Sequence, residues 1–139
     1  MGASPERELF PDAFCRFVAL FNRGRFWESH EVLELPWRQN RSPFYKGMII
    51  YASAFVHAQR GNPIGVRKQL VKARRYLTGY APFYLGVDVA GLLEHVEACL
   101  AVVGGPDPPS GPALVPALPA PSLALSPERL RGDEGELAT

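Results

Sequence analysis

Within the stretch FWESHEVLELPW, His30 and Glu34 stand one helical turn apart, with Glu28 and Glu31 beside them. On a helix this spacing presents an imidazole and a carboxylate to the same point. Three chemistries use such a pair. A basic neighbour can neutralise it, leaving a structural cluster that fixes how helices pack. A divalent metal can be held there, with further glutamates completing its shell, since His30 and Glu34 alone are too few ligands. Glu34 can also orient His30 for acid/base work, although no nucleophile motif accompanies it. The HExxE string has the first half of the zinc-protease HExxH but lacks its second histidine, which counts against a protease.

At about 100° per residue, Phe26, Trp27, His30, Glu34 and Trp37 fall in one arc about 100° wide. The expectation is that this aromatic arc faces the interior and takes the imidazole and the acid with it, where polar groups need partners. Glu31 lies at the edge of the arc and Glu28 on the far side, so the segment reads as apolar nearly all round and central. Partners are offered by the next helix, where Lys46, Ser53, His57 and Arg60 form a narrow polar arc apart from Phe44, Met48, Tyr51 and Phe55. The candidate polar cluster is therefore Glu28, His30, Glu31, Glu34, Lys46 and His57, and a divalent metal would use His30 and Glu34.

A second candidate is basic. Residues 35–87 contain no Asp or Glu, yet hold nine Lys and Arg residues. Among these Arg67, Lys68, Lys72 and Arg75, with Arg74, could attract phosphates, with a solvated helix face as the plainer reading. No RNA-binding signature surrounds them, so nucleic acid ranks low. The whole chain carries 15 basic against 14 acidic residues, a balance that marks neither a strongly basic nucleic-acid binder nor an acidic solvating tail. His95, among Leu92, Leu93 and Val96, reads as a core-edge or surface histidine. Cys15 and Cys99 lie far apart in helical patterns and read as reduced, buried thiols.

The elements that must position these residues are helical. Ser4 with Pro5, or alternatively Pro11 with Asp12, can start a first helix whose apolar stripe is Phe10, Phe14, Phe17, Val18 and Phe21. A second helix runs from about 25 to 37, with Pro36 bending or ending it. A third covers about 43–60 and is closed by Gly61. Asn62 and Pro63 cap a fourth, with Val66, Leu70, Ala73 and Leu77 on its apolar face. After the aromatic loop YAPFYLG, Asp88 caps a fifth that stops at Gly104.

All 15 aromatic residues lie between Phe10 and Tyr84, whereas eight of the 14 prolines fall between Pro106 and Pro127. The core therefore belongs to residues 1–103. Residues 104–139 read as a largely irregular Pro/Gly-rich tail, with a short helix starting after Ser126. The expected fold is an all-α, compact single-domain bundle of about five helices. The sequence has no signal-peptide pattern and no apolar run of the roughly 18 residues that a membrane span needs, so a cytoplasmic protein is expected.

The strings FNRGRFWESHEVLELPW, FYKGMIIYASAFVHAQRGNPIGVRKQL and YAPFYLGVDVAGLL together resemble a small prokaryotic family, the domain of unknown function 309. The resemblance runs from about Phe17 to Leu93 and rests on FxExHEVLExxW at its distance from the FYKG helix. It implies a compact helical bundle with a polar cluster built on the HE motif, and it implies no activity. Its signature falls on Glu28, His30, Glu31, Glu34, Trp37, Lys46 and Gly47. Relatives commonly carry glutamine where this chain has Ile50, so a site requiring that amide is altered here. The resulting expectation is a non-enzymatic binding or structural module with an unassigned ligand. The alternatives are a metal-dependent, hydrolase-type enzyme using His30 and the glutamates and, ranked lower, a nucleic-acid-associated protein using residues 60–75. An aromatic-rich small bundle can leave an apolar patch that pairs with a second copy, so a homodimer is one open option.

Overall fold

A computed structural model describes residues 9–134. The Ser4 and Pro5 start lies outside them. Among the described residues, α1 (Asp12–Asn22) opens directly after Pro11. It is followed by α2 (Phe26–Asn40), α3 (Pro43–Gln59), α4 (Pro63–Leu77) and α5 (Val89–Val103). Each of these packs against the next along α1 to α4, and α4 packs against α5. The fold is an all-α bundle, and no helix among the described residues is long and apolar enough to cross a membrane.

Start signals behave as side-chain chemistry dictates. Ser42 Oγ accepts from Tyr45 N–H, Asn62 Oδ1 from Gly65 N–H and Asp88 Oδ1 from Gly91 N–H. These caps satisfy amides that a helix leaves open at its first turn. Pro36 does not end α2, which continues to Asn40 and closes on Arg41 in the left-handed region, φ 56°, with its N–H on Trp37 O.

The centre of the bundle is α3, where the sequence favours α2. Twelve of its residues are buried, from Phe44 to Ala58, whereas α2 buries only Phe26, Ser29 and Leu33. The aromatic rings of α1 explain the exchange. Phe14 stacks on Tyr45 and Phe21 on Tyr51, with Phe55 edge-on to Phe21, so α1 uses its rings against α3. Gly47 lets α4 approach α3 closely. A Cβ there would lie 2.6 Å from Leu77 Cδ2 and 3.0 Å from Tyr76 Cβ.

The loop after α4 contains a two-strand hairpin, β1 (Phe83–Tyr84) and β2 (Val87–Asp88), paired Phe83 with Asp88 and Tyr84 with Val87. Its turn residues Leu85 and Gly86 both have positive φ, 47° and 82°, the geometry of a tight two-residue hairpin.

Beyond α5 the chain returns along the bundle. It forms α6 (Leu114–Ala117), which packs on α3, and short 3₁₀ turns at Gly111–Ala113 and Pro127–Arg129. Leu114, Leu118 and Leu123 are buried in the same apolar cluster as the helices. Backbone pairing holds this segment in place. Gly111 N–H donates to Gly61 O, and Asn22 exchanges two side-chain hydrogen bonds with the Leu123 backbone. Gly61, at φ 69°, is required at this crossing, because a Cβ would overlap the Gly111 backbone.

Candidate functional site

The HExxE motif lies along one side of α2. His30 Nδ1 is 3.8 Å from Glu34 Oε2, and Arg38 Nη2 donates to Glu34 Oε1 at 2.6 Å. The three side chains make a line of alternating character, one turn per step. His30 and Glu34 are half-buried, at 22% and 31% side-chain exposure. Trp27 stacks on the imidazole with ring centroids 5.2 Å apart. At 3.8 Å the His30 to Glu34 approach is too long for a hydrogen bond. Nδ1 is the only buried side-chain nitrogen or oxygen among the described residues without a hydrogen-bond partner.

The other members of the sequence cluster go elsewhere. Glu28 pairs with Arg25 at 3.1 Å, and both are exposed. Glu31 lines a shallow groove between α1 and α2 with Arg16, Arg23 and Glu28. Lys46 sits over the Trp37 ring at 4.3 Å, where Arg41 also rests at 4.7 Å. That contact uses the aromatic face in place of a carboxylate. His57 lies near the far end of α3 beside Asn62, with Nδ1 3.4 Å from the amide nitrogen. Only His30 and Glu34 of the set therefore meet. No group of three or more His, Cys, Asp or Glu among the described residues is placed to hold a metal ion. Ile50, where relatives commonly have glutamine, is buried at 5% exposure and extends the apolar core.

The basic run of α4 is more convergent than its sequence suggests. Arg74 is drawn to Glu97 on α5 at 2.7 Å. Arg67, Lys68, Lys72 and Arg75 together line a cavity of about 720 Å³ between α4 and the turn that follows α5. None of the four makes an ion pair with another described residue.

A third cluster escapes sequence reasoning. Tyr51 O–H lies 2.7 Å from His95 Nδ1, and His95 Nε2 lies 2.8 Å from Pro119 O. A proton on Nε2 donated to that carbonyl leaves Nδ1 to accept from Tyr51. Cys99 Sγ is 3.5 Å from His95 Nε2, which has the form of a cysteine and histidine pair. It is not an activated one: burial pushes the Cys99 thiol up to about 11, and the neighbouring nitrogen already faces a backbone oxygen. Burial also raises the Tyr51 phenol well above its ordinary value. The cluster fastens the returning chain to α3 and α5. The sequence signal that could have found it is the i, i+4 spacing of His95 and Cys99 on an otherwise apolar face.

Residues 14–69 match the family described as Domain of unknown function (DUF309). The match takes in α1 to α3 and the first half of α4, and it stops short of the Leu93 limit read from the sequence. No curated protein matches the chain.

Proposed function

We propose that the protein, whose residues 14–69 match the family described as Domain of unknown function (DUF309), is a non-enzymatic binding module whose contact surface is the outward face of α2. The observation that carries this reading is the exposure of two large apolar side chains on that face, Trp27 at 53% and Leu35 at 63%. They stand beside the His30, Glu34 and Arg38 line. Exposed tryptophan flanked by arginine is the composition from which interface anchors are drawn.

The partner that this face fits is a second copy of the chain. Bases flank its acids, Arg25 pairing with Glu28 and Arg38 with Glu34, so a second copy across a two-fold axis can set Arg38 against Glu28. The metal-dependent hydrolase alternative would need ligands beyond His30 and Glu34.

Two measurements test the reading. Sedimentation velocity over a concentration series should show a reversible dimer that Trp27→Ala and Leu35→Ser weaken while the melting temperature stays unchanged. A protein that is monomeric throughout overturns it. Metal analysis of the purified chain should find no stoichiometric Zn, Mn, Fe or Ni. Stoichiometric metal that disappears in His30→Ala replaces the binding reading with the enzymatic one.

A further inference from the structure

The cavity beside α4 has a floor and a rim of different chemistry. Ile64, Val71 and Val103, with Pro106 and Pro108 of the following turn, supply apolar walls. Arg67, Lys68, Lys72 and Arg75 supply the charge, and no acidic side chain lines the cavity. On α4 these positions fall within an arc of about 140° at about 100° per residue, which is why residues scattered in sequence share one side. Lys72 and Arg75 also line an adjoining recess of about 370 Å³ with Pro43 and Tyr76.

The electrostatics are one-sided. Arg74, the one cation of the run that finds a carboxylate, is paired with Glu97. The remaining four repel one another, and an anion that enters relieves that repulsion while gaining several charge-assisted hydrogen bonds. Apolar walls set a second requirement. Inorganic phosphate would leave Ile64, which is 65% exposed, and its neighbours as wet as before. A ligand with an apolar body would cover them, and about 720 Å³ is within the size range of small-molecule sites.

We propose that this cavity binds an organic phosphate, a small molecule with more than one negative charge on an apolar body of about nucleotide size. The phosphates lie against Arg67, Lys68, Lys72 and Arg75, with the arginines able to take two oxygens each. The apolar body lies against Ile64, Val71 and the proline turn. No residue of the α2 face takes part, so the inference stands apart from the reading above.

The test uses a fluorescent nucleoside diphosphate, N-methylanthraniloyl-ADP, titrated with the full chain. Saturable binding that weakens as salt rises is expected. Lys68→Glu and Arg75→Glu should each weaken it about tenfold or more, and Ile64→Ser should weaken it at unchanged charge. The corresponding nucleoside without phosphates should not bind, and pyrophosphate should compete only poorly. These side chains are exposed, so equal melting temperatures confirm that the variants fold. The proposal is overturned by the absence of saturable binding or by equal affinity in the charge-reversed variants. It is also overturned if a single-stranded oligonucleotide displaces the probe far more effectively than ADP, since that identifies a polyanion track.

Discussion

The outward face of α2 and the cavity side of α4 are both rich in exposed charge, and they handle it in opposite ways. On α2 most charges are answered locally, Arg25 by Glu28, Arg38 by Glu34, and His30 faced by the same Glu34, while exposed Glu31 makes no ion pair with a described residue. On α4 four cations share one cavity without an acid among them. A face of mixed sign can meet a copy of itself with few counterions imported. A face of one sign calls for a partner of the other. The difference follows from where the acids stop, because Glu34 is the last before Asp88.

The comparison breaks most sharply where one region depends on the returning chain and the other does not. The proline turn forming the cavity wall is followed by Leu114, fully buried in the bundle core. Leu114→Ala should destabilise the protein by about 2–5 kcal/mol in chemical denaturation, through lost burial and the void left behind. It should also slacken the wall and weaken phosphate-probe binding at temperatures where the fold persists, with α2-mediated pairing intact. A loss below about 1 kcal/mol would mean that the segment lies on the surface and not in the core.

A smaller effect comes from a third treatment of charge. Glu134 is 5% exposed, and its carboxylate accepts from the N–H groups of Leu85, Arg131 and Gly132 at 2.7–2.9 Å. Burial alone would push this carboxyl up, but the backbone donors together outweigh it and hold the group below its ordinary value of 4.5. A depressed folded-state value stabilises the protein above the ordinary carboxylate range. That contribution is lost as pH falls through the lowered value, because the unfolded chain takes up the proton more readily. Glu134→Gln should therefore cost about 1–2 kcal/mol at neutral pH and flatten the acid limb of the stability profile. An unchanged acid limb would assign that limb to other carboxylates.

How far the sequence reveals this molecule depends on whether the information is local. The caps Asn62 and Asp88 and the apolar stripes of α1 and α4 act within one or two turns, and they are legible from spacing alone. The centrality of α3 was not, because it depends on Phe14 and Phe21 choosing Tyr45 and Tyr51 as ring partners. For the same reason the HExxE motif is readable as a pair but not as a larger cluster. Lys46 finds the Trp37 ring in space, a choice that spacing does not encode. The α4 cations are visible as a run, but their convergence needs a wall contributed by residues 105–110. The contact of His95 with Pro119 joins segments that no periodicity connects.

The smallest expected effect bears directly on α2. Were Glu34 an enclosed partner of a buried cation, its loss would strand a charge and cost on the order of 3 kcal/mol. Here the cation is Arg38, whose side chain is 63% exposed, and the 3.8 Å approach to His30 is not a hydrogen bond. Water can replace the carboxylate at Arg38, and His30 Nδ1 has no hydrogen bond to lose, so Glu34→Ala should change stability by less than about 1 kcal/mol in dilute protein. If the α2 face closes on a second copy, the pair loses access to water and the penalty should grow with protein concentration. Denaturation at two concentrations separates these cases. A loss near 3 kcal/mol in the monomer would place the α2 charges in the interior and end the contrast with α4.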